Sequence, residues 1–294
     1  MEFLFKTFLR LLSFIPFNFQ MLIGKLLGKL LYKALKKRRK VVVWNIHKCF
    51  PDMDEREVEK LARENFTRIG QAIFEICNSY YWSDEKFKKK IKNIDEFEKK
   101  IKAIKNSNNL LLVPHTANVD FVVRAPSLFL KVNGMQRSAE NKIWNKIMTD
   151  GRNKFVDKIF LPNEGRKLLG SLSKGESVLY APDQDYGFKN SIFIDFFNHK
   201  ALTVVFPSVL VKRTNCKVFL LTLVKENEAY LADIKELMLK GLDFDDDLRI
   251  INSAIENFAQ TYKQEYYWIH RRFKNRPEGE GKFYPDDALR EYWL

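Results

Sequence analysis

The sequence contains little cysteine and little histidine. Of its 294 residues, three are cysteine and four are histidine. Cys49, Cys77 and Cys216 lie far apart, and no C-x-x-C pair occurs. An odd number of widely spaced cysteines argues against a disulfide framework, and the lack of paired cysteines argues against a zinc site. The composition fits a reducing, cytoplasm-facing environment best.

The sequence also lacks an apolar run long enough for one straight membrane-spanning helix. The longest uncharged run near the N-terminus covers residues 11–24, is shorter than the roughly 20 residues that a span needs, and contains the helix-kinking Pro16. No signal-peptidase site of small residues follows it. The first 40 residues are nevertheless rich in Leu, Phe and Ile and carry a periodic basic stripe: Lys25, Lys29, Lys33 and the run at 36–40.

This N-terminal pattern favours a helix lying in the interface of an anionic membrane leaflet. The alternative is an amphipathic helix packed on the protein's own core. The sequence leaves open whether the segment spans the membrane or lies in its interface. We expect residues 1–40 to form a membrane-associating helical segment and residues 41–294 to form a single α/β domain.

Charge of one sign dominates the chain. The formal net charge is +14, from 51 Lys+Arg against 37 Asp+Glu, and 46% of the residues are apolar, which is ample for a core. An excess of positive charge indicates a polyanionic partner: nucleic acid, anionic lipid or a phosphorylated ligand. No helix-turn-helix, zinc-finger or RNP motif is present, so nucleic acid is the least favoured of the three.

Apolar periodicity predicts helices that alternate with short apolar strands. The predicted helices cover 52–82, with Asp52 and Glu55 as a capping box, and 94–106, 141–153, 164–173 and 248–263. The predicted strands cover 110–113, 177–181, 203–210 and 217–224. This alternation is typical of an α/β fold with helices on both faces of one sheet.

A histidine and an aspartate follow the first predicted strand. His115 lies after Pro114 at the strand end, Asn118 is a natural N-cap, and Asp120 falls in the first turn of the next helix. Ligands of open α/β sheets bind just beyond the carboxyl ends of strands. A carboxylate on one imidazole nitrogen would leave the other free to take a proton from a hydroxyl. The alternative is that His115 is a satisfied structural residue.

Two aspartates follow a second predicted strand, in the segment APDQDYG at 181–187. Asp183 and Asp185 resemble the D-x-D pair that holds a divalent metal on a diphosphate in nucleotide-sugar glycosyltransferases. A membrane-peripheral glycosyltransferase that uses these carboxylates with a divalent metal is therefore the alternative function. The two aspartates could equally pair with arginines or form a solvated turn. The intervening segment offers four arginines: Arg124, Arg137, Arg152 and Arg166.

A third cluster interleaves aromatic and basic residues at 266–284, in the segment YYWIHRRFKNRPEGEGKFY. Such mixtures bind single-stranded nucleic acid through stacking and phosphate contacts. They serve equally well at a lipid headgroup or a phosphorylated sugar.

Taken together, HTANVD at 115–120, APDQDYG with the trailing FFNHKALT at 196–203, and WIHRRFKNRPEGE at 268–280 resemble the late acyltransferases of lipid A biosynthesis. The resemblance to these lauroyl and myristoyl transferases covers most of the chain. They belong to the glycerolipid acyltransferase group, whose H-x4-D/E motif is matched by His115 and Asp120.

The resemblance implies a central mixed sheet flanked by helices, and an enzyme of the cytoplasmic face of the inner membrane. The implied reaction moves a fatty acyl chain from acyl carrier protein to a hydroxyl of a Kdo-bearing lipid A precursor, without metal or cofactor. His115 would be the base and Asp120 would orient it. The implied substrate-binding residues are Asn118, Arg152, Asp183, Asp185 and Lys189, of which Arg152 would hold phosphate or pair with the D-x-D carboxylates.

Overall fold

A computed structural model describes residues 2–284. Met1, the first residue of the predicted segment 1–40, and residues 285–294, the end of the predicted domain 41–294, lie outside the described residues. Its helices are α1 (Glu2–Leu12), α2 (Phe17–Ala34), α3 (Lys36–Cys49), α4 (Glu55–Tyr81), α5 (Asp84–Lys88), α6 (Ile94–Ala103), α7 (Val119–Ser127), α8 (Lys142–Arg152), α9 (Gly165–Ser173), α10 (Phe206–Thr214) and α11 (Phe244–Thr261). Its strands are β1 (Asn109–Leu112), β2 (Val132–Met135), β3 (Ile159–Phe160), β4 (Ser177–Tyr180), β5 (Ser191–Phe196), β6 (His199–Val204), β7 (Lys217–Glu226) and β8 (Ala229–Leu237).

Six of these strands form a mixed central sheet in the order β3-β2-β4-β1-β7-β8. Neighbouring strands are parallel except for β8, which runs antiparallel to β7. Strands β5 and β6 form a separate antiparallel hairpin, so the FFNHKALT motif is its turn and second strand. The predicted α/β class, with a mixed sheet flanked by helices, is confirmed.

The core lies on both faces of the sheet. Because side chains alternate along a strand, Leu110 and Leu112 of β1 join the cluster that includes α3, α9 and α11, whereas Leu111 joins the cluster that includes α6 and α7. All four residues of β1 are buried. The strand that leads to His115 is therefore fixed from both faces.

Two local predictions are wrong, each for an identifiable reason. The capping box of α4 uses Asp54 and Glu57 rather than Asp52 and Glu55, because the helix begins two residues later than its acidic run suggests. The predicted strand at 203–210 ends at Val204, and α10 begins at Phe206. Pro207 occupies the first turn of α10, where proline is well tolerated, and a short apolar run does not distinguish strand from helix.

Glycines bring α2 into very close contact with α4. A Cβ on Gly70 would lie 2.2 Å from the carbonyl oxygen of Gly24 and 2.4 Å from the amide nitrogen of Gly28. Near one end of this contact, Gln20 and Asn78 exchange buried side-chain hydrogen bonds of 3.2 and 2.7 Å. One face of α2 is thus part of the folded domain, as the core-packing alternative expected.

We expect Gly70→Ala to destabilise the protein by about 1–3 kcal/mol, because the added methyl group must push two backbones apart. Gly170→Ala in α9 is the matched control, since its Cβ meets nothing within 4 Å, and it should be neutral or stabilising by up to about 1 kcal/mol. Thermal unfolding of both variants measures the difference. Equal stability of the two variants would contradict the close α2–α4 contact.

No single helix among residues 2–284 has both the length and the apolar composition for a membrane span. The α1–α2 pair meets these criteria only when taken together, and its two helices are bent by 116°. The bend coincides with the break at Pro16. The outer faces of both helices carry many exposed apolar side chains: Phe3, Leu4, Phe5, Phe8, Leu11, Phe19, Leu22, Ile23, Leu26 and Leu30.

Candidate active site

The register of two parallel strands brings His115 and Asp183 together. Strand β1 pairs with β4 so that Leu112 lies opposite Tyr180, and the amide of Val113 donates to the carbonyl of Tyr180 at 3.0 Å. His115 and Asp183 each lie three residues beyond this last pair, and each follows a proline. They therefore leave the carboxyl edge of the sheet at the same level.

The His115 side chain is held by Asp183. Its Nδ1 lies 2.5 Å from Asp183 Oδ1, and its backbone N–H donates to Asp183 Oδ2 at 2.9 Å. The carbonyl of His115 accepts from the amide of Tyr267 at 3.0 Å. A carboxylate at Nδ1 selects the tautomer that carries its proton there. The lone pair on Nε2 is then available, and the hydrogen bonds among residues 2–284 leave that nitrogen without a partner.

The predicted pairing of Asp120 with the His115 ring is wrong in this structure. Asp120 instead forms a two-pronged ion pair with Arg152, whose Nε and Nη2 lie 2.6 and 2.9 Å from its carboxylate oxygens. The phenol of Tyr80 also donates to Asp120 at 2.9 Å. Arg152 in turn contacts Gln136 at 2.9 Å. Arg152 thus pairs with the carboxylate at the start of α7 and not with the D-x-D carboxylates.

The turn between His115 and Asp120 has unsatisfied donors. Asn118 precedes α7 as predicted, but its side chain makes no capping bond, because its Oδ1 accepts from the hydroxyl of Thr116 at 2.9 Å. Its Nδ2 is buried and has no partner among the described residues. The first N–H groups of α7 add the positive end of a helix dipole. The turn next to His115 therefore carries hydrogen-bond donors that the described residues do not satisfy.

Asp185 holds the C-terminal segment and does not point at His115. It accepts from the backbone N–H and the side-chain amide of Asn275, at 3.1 and 2.8 Å. Its own N–H donates to Nε2 of His270 at 3.1 Å. Lys189 is exposed in the loop before β5. The structure thus gives Asp183 and Asp185 different neighbours, which weakens the expectation that they share a divalent cation.

Burial and charge act in opposite directions on Asp183. Burial favours the neutral carboxyl, but His115 and then Arg272 favour the carboxylate, and the pKa of Asp183 is lowered overall. Burial, His115 and Arg272 lower the pKa of His270 to about 4. His270 is therefore neutral near pH 7 and can accept the hydrogen bond from Asp185.

Several residues of the site carried no clear signal in the sequence. Tyr80 lies in the long helix α4, where it reads as one more apolar position, and Gln136 follows a strand that the pattern does not predict. Arg124, one of the arginines considered for the D-x-D pair, instead donates to the carbonyls of Asn78, Ser79 and Trp82 at the end of α4.

A histidine with a buried carboxylate on Nδ1 and an Nε2 free of partners among residues 2–284, at the carboxyl edge of an α/β sheet, is an arrangement typical of general bases in hydrolases and transferases. Comparison with known proteins specifies the class. The family model described as bacterial lipid A biosynthesis acyltransferase matches residues 1–275. The chain belongs to this family and is an acyltransferase of lipid A biosynthesis.

Curated relatives agree with this assignment. The chain is 28% identical over 277 residues to the lipid A biosynthesis palmitoleoyltransferase of Escherichia coli K12, covering 92% of this chain and 90% of that protein. It is 28% identical over 261 residues to the lauroyltransferase of the same organism, covering 86% and 84%. It is 25% identical over 269 residues to the corresponding myristoyltransferase, covering 86% and 80%. These assignments do not favour the glycosyltransferase alternative.

Proposed function

We propose that the protein transfers a fatty acyl chain from acyl carrier protein to a hydroxyl group of a Kdo-bearing lipid A precursor. Family membership supports the acyl transfer and the lipid A acceptor. The observation that carries the mechanism is the His115 ring, which is bonded to Asp183 through Nδ1 and open at Nε2. The acyl carrier protein donor is an expectation from the sequence resemblance, and it suits a chain with a net charge of +14.

In the proposed reaction, Nε2 of His115 takes the proton of the acceptor hydroxyl as its oxygen attacks the thioester carbonyl. Asp183 stabilises the resulting imidazolium. The tetrahedral intermediate collapses, the carbon–sulfur bond breaks, and the departing thiolate takes the proton back from His115. A positioned general base of this kind contributes a factor of about 10² to 10⁴ in rate.

The oxyanion of the intermediate needs hydrogen-bond donors. The first N–H groups of α7 and the unpartnered Nδ2 of Asn118 are the candidates, and each such donor is worth about 10² to 10³ in rate. In this proposal the Asp120–Arg152–Tyr80 cluster holds the start of α7 in place. Arg152 then acts mainly through Asp120. Because the guanidinium of Arg152 is already paired with Asp120, we favour this role over the binding of a substrate phosphate.

We also propose that α1 and α2 lie in the interface of the cytoplasmic leaflet of the inner membrane. The face of α2 that contains Gly24 and Gly28 is packed on α4, and Leu22, Leu26 and Leu30 lie about 200° away on the opposite, exposed face. Lys25 and Lys29 lie exposed between these two faces. An apolar stripe with lysines along one edge suits an in-plane helix on anionic lipid.

Replacing two leucines of this stripe, Leu26→Glu with Leu30→Glu, should lower binding to vesicles of phosphatidylethanolamine and phosphatidylglycerol about tenfold or more. Each leucine contributes up to about 1.5–3 kcal/mol when removed from water, and 1.4 kcal/mol corresponds to tenfold. Leu242→Glu is the matched control, because Leu242 is 80% exposed outside the helix pair. Co-sedimentation measures the effect, and an equal loss in the control would refute this assignment of the surface.

The reaction is tested with purified protein in detergent, acyl carrier protein thioesters of several chain lengths, and a Kdo-bearing lipid A precursor. We expect transfer from acyl carrier protein to be much faster than from acyl-coenzyme A, and to be insensitive to EDTA. An acceptor that lacks the hydroxyl should not react. Transfer only from acyl-coenzyme A would contradict the proposed donor, and loss of activity with EDTA that added metal restores would contradict the metal-free mechanism.

A further inference from the structure

The C-terminal aromatic-basic segment is largely internal. Tyr266, Trp268 and Phe273 are buried, and Thr116 forms a bridge with Tyr266 beside His115. This segment therefore forms one wall of the site and is not a free strip for nucleic acid or headgroups.

Two buried arginines anchor this wall. Arg68 of α4 donates to the carboxylate of Glu265 at 2.8 Å, just before the residues that face His115. Further along the chain, Arg272 donates to the carbonyl of Leu202 at 2.6 Å and to the hydroxyl of Thr203 at 2.8 Å, both in β6. The stretch between the two anchors is thus tied to α4 at one end and to the β5–β6 hairpin at the other.

A buried asparagine of α4 holds the backbone within this stretch. Asn65 is 1% exposed, and its Nδ2 donates to the carbonyl of Gln264 at 3.0 Å and to the carbonyl of Tyr266 at 2.8 Å. Its Oδ1 is buried and has no hydrogen-bond partner among residues 2–284. Because an unsatisfied buried acceptor costs stability, the favourable contribution of this side chain is its pair of bonds to the backbone.

A single peptide unit connects Asn65 to His115. The carbonyl of Tyr266 accepts from Asn65 and also from the amide of Trp268 at 2.9 Å. The N–H of Tyr267 belongs to the same peptide unit and donates to the carbonyl of His115 at 3.0 Å. The unit is planar and trans, so its carbonyl and its N–H point in opposite directions. A continuous chain of hydrogen bonds therefore runs from the side chain of Asn65 to the backbone of His115.

We propose that Asn65 is a positioning residue, which fixes the 266–267 peptide unit and through it the backbone of His115. The proposal rests on the base role of His115 given above. The N–H of His115 is held by Asp183 at 2.9 Å and its carbonyl by Tyr267, so the residue is fixed from both sides. Loss of the second hold allows the ring to shift relative to the substrate hydroxyl. A misplacement of about 1 Å can cost on the order of 10² in rate.

The test compares Asn65→Ala with Asn109→Ala. Asn109 is a matched control because it is fully buried and its Nδ2 also donates to two backbone carbonyls, those of Ile104 and Ser107 at 2.8 and 2.7 Å. It lies at the amino end of β1, away from His115. We expect Asn65→Ala to lower kcat about 10- to 100-fold while KM changes by less than about threefold. Asn109→Ala should lower the melting temperature but keep kcat within a few-fold of the wild type.

A double-mutant cycle with His115→Gln separates positioning of the base from a general structural role. If Asn65 acts through His115, then Asn65→Ala should change the single-turnover rate little once His115 is replaced. A merely structural role would lower the rate by the same factor in both backgrounds. Asn65→Ser keeps a shorter donor and serves where the alanine variant does not fold, with an expected kcat between those of Asn65→Ala and the wild type.

Equal kcat values for folded Asn65→Ala and Asn109→Ala would overturn the proposal, as would equal losses in the two backgrounds of the cycle. These outcomes are separable from failure of the proposed function. If His115→Gln retains full activity, the base role itself fails. If that variant is inactive while Asn65→Ala keeps the wild-type kcat, only the role of Asn65 fails.

Discussion

His115→Gln is expected to lower kcat for acyl transfer by about 10² to 10⁴ while the protein remains folded. The substitution removes the only group in the proposed mechanism that takes the proton of the acceptor hydroxyl. The ring is 22% exposed, so a polar side chain of similar length can be accommodated. Rapid-quench kinetics with a saturating thioester measures the chemical step, and circular dichroism checks the fold.

The matched control is His47→Gln, which removes a different one of the four histidines, a half-buried residue of α3. We expect it to retain activity within a few-fold of the wild type. A His115→Gln variant that is as active as His47→Gln would remove His115 from the mechanism.

Asp183→Asn should have the second large effect, with kcat lowered by about 10² to 10⁴. The side-chain amide of asparagine is neutral and can place either an N–H donor or a carbonyl acceptor at Nδ1 of His115. It therefore no longer selects one tautomer of the His115 ring, and it no longer stabilises the imidazolium that forms during the reaction. The carboxylate accepts from both the ring and the backbone N–H of His115. Substrate affinity should change much less than kcat, because Asp183 acts on the base. The measurement is kcat and KM determined separately.

Asp120→Asn provides the contrasting case. Removing the charge that faces Arg152 leaves a mostly buried guanidinium without its ion pair, so the main expected effect is a loss of about 3 kcal/mol of stability. Activity should fall less in the folded fraction than it does in Asp183→Asn. If Asp120→Asn instead matches Asp183→Asn in kcat at full stability, the assignment of Asp183 as the partner of the base is wrong.

Much of the site's location could be predicted from the sequence. The strand β1, the proline before His115 and the start of α7 after Asn118 are local features, indicated by apolar pattern, backbone restriction and the residue types that favour helix starts, although Asn118 makes no side-chain capping bond. They place a histidine at the carboxyl edge of the sheet. The segments LVPH at 112–115 and YAPD at 180–183 also have matching forms, an apolar strand end followed by proline and a polar residue.

The partner of His115 could not be predicted by sequence spacing. Asp120 is near in sequence but lies on a helix that carries it toward Arg152 and Tyr80, whereas Asp183 is 68 residues away and adjacent through the β1–β4 pairing. Strand order is a long-range property, and local patterns do not specify it. The same holds for Arg272, whose environment depends on the β5–β6 hairpin and on the final segment of the chain.

The most direct test of the central claim is the intact mass of the lipid product after a single turnover. Wild-type protein, acyl carrier protein thioester and Kdo-bearing lipid A precursor should give a product heavier by one acyl group, and His115→Gln should leave the precursor unchanged over the same time. No mass gain with folded wild-type protein and any thioester of the panel would contradict the proposed reaction. An equal mass gain with both proteins would contradict the mechanism built on His115.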